Sequence, residues 1–439
     1  MSPVSRGRRV KKTSTSPGGR ATGRATVLDR PRSALSALMT QLGSPSQRAE
    51  WFDPAIAAVL DQAHVVLEAQ HPRALERLTS QLIGAQLHEV LVAEKTGLWF
   101  DRWFVQLVSA TESRVREQAD GGAWEAPFRL LHGLAAIGTP ETAQTALAAA
   151  NRLRKLIGRV PGQDPGPRWL LDVRRLRADG DVVRLRDVWG TRYAVIAGFS
   201  YAGRNRSVFL FDVDTDFYHI VIGAGDFDDT EQAAAAWRHR VGDAAADARM
   251  QPVDHVDQLA CLVHLQMDEA ALPAIPDRSV TDNWFAGQRR LAELRTVLRR
   301  SGTAPIVAAS LYEVDTDPVV EEFAQWYRGR HGAEPDRDAA EALAGEWMSG
   351  VIPETWFSVS PTRLHHQCEL IGDWIDDDLT RVARALLPEW VTWLAERGEY
   401  TEALRTQLAD ALATEIARWT TRSDHRSRSG ADPTGSAKS

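Results

Sequence analysis

Hydrophobic positions along the chain fall into three regimes, and the change of period between them predicts the layout of the fold. From Ser33 to about residue 157 the period is helical. In HPRALERLTSQLIGAQLHEVLVAE, Leu75, Leu78, Leu82, Leu87 and Val90 recur on one face while Glu76, Arg77 and Gln86 take others. GLWFDRWFVQLVSATESRVREQAD then places Trp99, Trp103 and Leu107 on one stripe, and APFRLLHGLAAIG closes on Gly138. Thr139-Pro140 opens the next helix, with proline at the first turn where its missing N–H is not needed. These read as antiparallel helices on short loops.

VPGQDPGP, residues 160–167, breaks that rhythm with three prolines and two glycines, and the period afterwards is that of strands. DVVRLRDVWG, RYAVIAGFS, SVFLFDVD and HIVIGAGDF are short runs rich in Val, Ile and Phe separated by Gly, Asn and Asp, which predicts an antiparallel meander. The segment DDTEQAAAAWRHRVGDAAADA follows as a helix capped by Asp229 or Thr230, covering one face of the sheet. Past residue 250 the helical period returns. TDNWFAGQRRLAELRTVLRR aligns Trp284, Leu291, Leu294 and Leu298, with its arginines mostly on another face, and Ser360-Pro361 and Leu387-Pro388 are expected to open helices.

The fold class expected is therefore α+β and predominantly α-helical, with helical N- and C-terminal parts flanking a small antiparallel sheet unit. Its divisions are a disordered basic tail over 1–32, a helical domain over 33–159, an α+β domain over 160–250, a helical domain over 251–423 and a disordered tail over 424–439. Fifteen tryptophans show no fixed period, so no solenoid is expected.

Composition changes the picture in three ways. The longest apolar runs, such as Ala194–Phe199 and Val208–Phe211, are far shorter than the roughly 20 residues of a membrane span, so no membrane is expected. The N-terminus lacks the apolar stretch of a secretory signal, and two cysteines, Cys261 and Cys368, supply neither a disulfide framework nor a four-thiolate zinc site. A cytoplasmic location is expected. Charge is uneven: residues 1–32 hold Arg6, Arg8, Arg9, Lys11, Lys12, Arg20, Arg24, Arg30 and Arg32 against Asp29, a net +8, so the remainder of a chain of net −7 carries −15. Such a tail suits nonspecific contact with nucleic acid or another polyanion, whereas the acidic body repels a phosphate backbone.

The stretch with the most chemistry is RSVFLFDVDTDFYHIVIGAGDFDD, residues 206–229, with six aspartates. Asp212, Asp214 and Asp216 match the first three ligand positions of a calcium loop, but its sixth and twelfth positions are Phe217 and Gly223 where glycine and a bidentate glutamate are required. Two readings remain. Asp212 and Asp214 with His219 form a Mg²⁺ or Mn²⁺ site, or Asp214 and Asp216 form the turn of an exposed hairpin, aspartate being a common turn residue. Carboxylates side by side on one strand face repel unless a cation or arginine neutralises them, and Arg204 and Arg206 stand at the near end. His365, His366, Cys368 and Glu369 in RLHHQCE give one His–Glu pair at i, i+4, without the second histidine of a zinc site. No G-x-S-x-G, Walker-A or dinucleotide-loop pattern is present.

The segment order, with ERLTSQLIG, DVWGTRYAVIAGF, SVFLFDVD and SPTRL…DWI…LLPEWVTWLAERG, resembles a group of uncharacterised actinobacterial proteins over residues 70–420. The resemblance implies no activity. Where members of that group have a histidine before the second aliphatic strand and Gly-Gly after its aspartate, this chain has Arg206 and Thr215-Asp216. The function expected is that of a non-catalytic cytoplasmic interaction or regulatory protein without a cofactor, partnered by another protein, with FDVDTDFYH as the exposed recognition element. The alternative is a metal-dependent, nuclease-like hydrolase using Asp212, Asp214 and His219 with Mg²⁺ or Mn²⁺, its substrate held by Arg6, Arg8, Arg9, Lys11, Lys12, Arg20 and Arg24.

Overall fold

The computed structural model describes residues 49–429 apart from 94, 96–97, 120–122, 159–165, 217–219, 254–266, 268–276, 301, 303–312 and 375. The basic tail, the 160–165 stretch, His219 and Cys261 lie outside these residues. Among the described residues the first helices are α1 (Phe52–Asp61), α2 (Pro72–Val92), α3 (Phe100–Gln118), α4 (Glu125–Ile137) and α5 (Pro140–Ile157). Local chemistry sets their starts. His71 Nδ1 accepts from Ala74 N at 3.2 Å ahead of Pro72, and Thr139 Oγ1 accepts from Thr142 N at 3.4 Å ahead of Pro140.

The sheet is the expected meander, β1 (Leu176–Arg186), β2 (Arg192–Tyr201), β3 (Arg204–Asp214) and β4 (Ile220–Phe227), with a short fifth strand, β5 (Gln251–Pro252), in the order β4-β3-β2-β1-β5 and antiparallel throughout. The β2–β3 turn is Ala202-Gly203, both at positive φ, as a two-residue hairpin loop requires. Helix α6 (Thr230–Val241), capped by Asp229, lies on one face.

Period-two alternation explains why β2 and β3 read as nearly continuous hydrophobic runs. Tyr193, Val195, Ala197, Phe199, Phe209, Phe211 and Val213 join the core of the N-terminal helices, while Ala194, Ile196 and Leu210 pack with Ala233, Ala234 and Trp237 beneath α6. Both faces are buried. The sheet is therefore a central layer.

Helices expected to form one C-terminal unit divide between two cores. Helix α8 (Trp284–Arg300), preceded by the short α7 (Arg278–Asp282), packs with the N-terminal helices: the Phe100 and Trp284 rings are 5.7 Å apart and those of Phe104 and Phe285 4.6 Å. Two of the α8 arginines, expected mostly on another face from Trp284 and the leucines, are buried, and each has a partner. Arg289 Nη1 donates to Ala135 O at 2.7 Å near the end of α4. Arg290 pairs with Glu76, which also accepts from the Tyr201 hydroxyl, and lies 5.2 Å and 4.7 Å over the rings of Phe199 and Phe209.

The second core is built by α9 (Asp317–His331), α10 (Arg337–Met348), α11 (Pro361–Gly372), α12 (Asp377–Arg397) and α13 (Glu402–Ser429). Ser360 caps α11 as expected. Pro388 does not open a helix; it lies inside α12. Proline within a helix costs about 3 kcal/mol, and burial of Leu386, Leu387, Trp390, Val391 and Leu394 on one stripe offsets it. Trp189, from the β1–β2 turn, is inserted into this second core and ties it to the sheet.

Candidate functional site

The aspartates at the end of β3 are buried, contrary to the expected exposed tip, while Asp228 and Asp229 are exposed. Asp212 and Thr215 are 0% exposed and Asp216 8%, and Asp214 is half-buried. Alternation along β3 turns Asp212 to the α6 face, where its neighbours are apolar and an unpaired charge would be costly.

Asp212 is neutralised from three directions. Arg192 forks onto it, Nε to Oδ1 at 3.0 Å and Nη2 to Oδ2 at 2.7 Å. Trp237 Nε1 donates to Oδ1 at 2.9 Å, and Arg240 Nη1 stands 3.5 Å from Oδ2 and 3.1 Å from Asp277. Gly223, opposite Asp212 on β4, leaves the space Arg240 needs, since a Cβ there would fall 1.9 Å from Nη1. The neutralising arginines are thus Arg192 and Arg240. Arg204 and Arg206, expected in that role, are exposed at the opposite end of β3.

Beyond β3 the chain makes the turn that aspartates favour. Asp216 N donates to Asp214 Oδ1 at 2.7 Å, and Thr215 Oγ1 donates to Thr191 O at 2.6 Å. The turn packs against the second core, so Ser360 Oγ, at the start of α11, donates to Asp216 Oδ2 at 2.7 Å. In the β1–β2 turn, Asp187 Oδ1 accepts from the N–H groups of Thr191 and Arg192 at 3.0 and 3.2 Å. Burial raises all three carboxyls. Asp187 rises to about 6 against the pull of its backbone donors and Arg186. Asp214 rises to about 7 through burial and the neighbouring Asp216, and Asp216 to about 6 through burial, opposed by Arg363 and Ser360.

Arg363 lies under this cluster, buried, and donates to Thr355 O, Ser358 O and Trp347 O. Burial lowers its pKa to about 10, with Asp216 opposing. The Tyr400 hydroxyl bonds Trp189 O at 2.8 Å and accepts from Val359 N at 3.1 Å.

Among the described residues no group of three His, Cys, Asp or Glu side chains is placed to hold a metal ion, and His219 of the expected set lies outside them. Asp212 has about four acceptor directions, and its four donor contacts occupy them. Asp214 keeps its place beside Asp212, directly across the sheet from Arg192. His365 serves a seam between helices, its Nδ1 3.0 Å from Glu415 on α13, while its Nε2 is 3.9 Å from Glu369. Cys368 is buried, and burial pushes its thiol to about 12, far from a reactive thiolate.

Sequence reasoning missed Asp187, Arg192, Ser360 and Arg363 as members of the cluster, and Arg73, which pairs with Asp226 and Asp228 at 2.7 Å. Arg192 was within reach of the sequence, because the Ala202-Gly203 turn sets the register that places it across from Asp214. The contacts to α11 carry no local signal. Against known proteins, the chain matches no family model, no curated protein and no solved structure.

Proposed function

We propose that this chain acts as a non-catalytic interaction or regulatory protein of the cytoplasm, with another protein as partner. One observation carries the reading: Asp212, around which an ion site in the aspartate stretch would be built, is saturated by Arg192, Arg240 and Trp237. The remaining carboxylates of the cluster serve an internal seam. The sheet then acts as a bracket between two helical cores, and recognition falls to exposed helical surface. With −15 outside the tail, that surface favours a partner with a basic face. Among the described residues no helix is long and apolar enough to cross a membrane.

Calorimetric titration of Mg²⁺ and Mn²⁺ into chelator-treated protein tests this, beside Asp214→Asn, which leaves the Asp212 ion pair in place. No heat from either protein is expected. Stoichiometric binding abolished by Asp214→Asn would instead promote the metal-dependent hydrolase and call for screening phosphodiester substrates.

A further inference from the structure

Among the described residues Trp189 is the one buried apolar side chain that the second core takes from outside residues 319–419, and Ala244 adds a partly buried contact. Trp189 arrives on a turn that holds its own shape. Gly190 N donates to Asp187 O at 3.2 Å, Gly190 stands at φ 72°, and Asp187 Oδ1 accepts from the N–H groups of Thr191 and Arg192. None of these bonds involves the second core.

That core meets the turn as a receptor meets a peptide. The Trp189 ring is buried with the Tyr400 ring 5.8 Å away at 73°, the Tyr400 hydroxyl donates to Trp189 O at 2.8 Å, and Ser358 Oγ donates to the next carbonyl, Gly190 O, at 3.3 Å. One aromatic anchor and two consecutive main-chain carbonyls are recognised. Tyr400 follows Glu399, whose φ of 52° is left-handed backbone that favours glycine, a strain of the kind that marks binding sites. Around the anchor the seam between sheet and second core is polar, crossed by Ser360 to Asp216, Arg186 to Ser358 and Arg184 to Glu354, and Val188 beside Trp189 is 43% exposed. A seam that is polar apart from one anchor leaves relative motion of the two units the default.

We propose that the C-terminal helical core carries a binding site for a tight turn presenting tryptophan followed by glycine. The chain's own β1–β2 turn occupies the site in cis, and a partner protein bearing such a turn replaces it when the seam opens. The inference rests on the reading of a protein partner; heat from Mg²⁺ or Mn²⁺ would remove that reading and leave the peptide titration below to stand or fall by itself.

The probe is LRDVWGTRYA, residues 185–194, cyclised through its ends because Leu185 and Ala194 are paired across the hairpin. Calorimetric titration into the full chain carrying Trp189→Ala, whose own turn has lost its anchor, is expected to show one-to-one binding. Replacing the peptide's tryptophan by alanine should weaken it more than about tenfold, and adding Tyr400→Phe to the chain about fivefold. No binding by a folded Trp189→Ala chain, or equal binding of the alanine peptide, overturns the proposal. Should that variant not fold, fluorine spectroscopy of the unaltered chain labelled with 5-fluorotryptophan decides, the Trp189 resonance being assigned by its loss in Trp189→Phe. The tethered turn competes at an effective concentration of order 1 mM, so the resonance is expected to move toward its solvent-exposed position as peptide rises through ~1 to 10 mM. A resonance that stays in place marks a permanently closed seam and overturns the proposal. A dimer of the unaltered chain that Trp189→Ala abolishes would make a second copy the occupant and overturn the assignment to a partner protein.

Discussion

Asp212 costs the fold nothing only while its partners are present. Truncating Arg192 to alanine removes the forked pair and leaves the carboxylate with Trp237 and a distant Arg240. Urea unfolding of Arg192→Ala is expected to show a loss of roughly 3–5 kcal/mol, the range for a buried charge stripped of its partner. Tyr400→Phe is a milder case: the ring stays beside Trp189 while the bonds to Trp189 O and Val359 N are lost, and a decrease of about 1 kcal/mol is expected in the same assay. Six aspartates between hydrophobic runs mark this stretch in the sequence. Their meaning was hidden because the decisive partners, Arg192, Trp237 and Ser360, come from other elements, two of them beyond β3 and up to 144 positions from their aspartate.

Among elements, the hydrophobic period carried most of the fold. Four of the five strands and the starts at Pro72, Pro140 and Pro361 follow from pattern and cap chemistry. Pro388 shows where that reasoning ends: a local breaker is outweighed by a buried stripe visible only once α12 is packed. Close approaches are equally silent. Gly84 on α2 lies against α7, and a Cβ there would fall 2.3 Å from Asp282 Cα, so Gly84→Ala must push two helices apart. A lowered melting temperature is expected, equivalent to about 1–3 kcal/mol, with the sheet unchanged by circular dichroism. Helices α3 and α5 offer a pH handle at the acid end. Arg152, with Arg116, holds the Glu112 carboxyl down to about 2, so its contribution is present above 4.5 and lost as pH falls through about 2. Acid titration of Glu112→Gln should show a shallower loss at the acid end than the native chain.

On the scale of the whole molecule, two helical cores grip one sheet, and the sequence showed the helices without showing which core each would join. Trp284 and Leu298 have the same periodic look as Leu343 and Trp390, yet the first pair packs with the N-terminal helices and the second pair does not. Periodicity specifies an apolar face and leaves its partner open. Charge is the property legible at this scale without coordinates. Removing residues 1–32 takes away a net +8, and binding to duplex nucleic acid, measured between ~50 and 200 mM salt, is expected to weaken and lose its salt dependence. Affinity that is unaltered by the deletion would assign the tail no such contact.

The saturation of Asp212 also has a consequence for descent. Asp212, Arg192, Trp237, Arg240 and Gly223 lie on four elements but satisfy one another, so a change at any one leaves a buried charge or a void for the others. In chains that share this sheet they should be inherited as a block. A lineage that drops the aspartate is expected to drop Arg192 with it, and a side chain larger than hydrogen at position 223 is expected to displace the Arg240 guanidinium from Asp212.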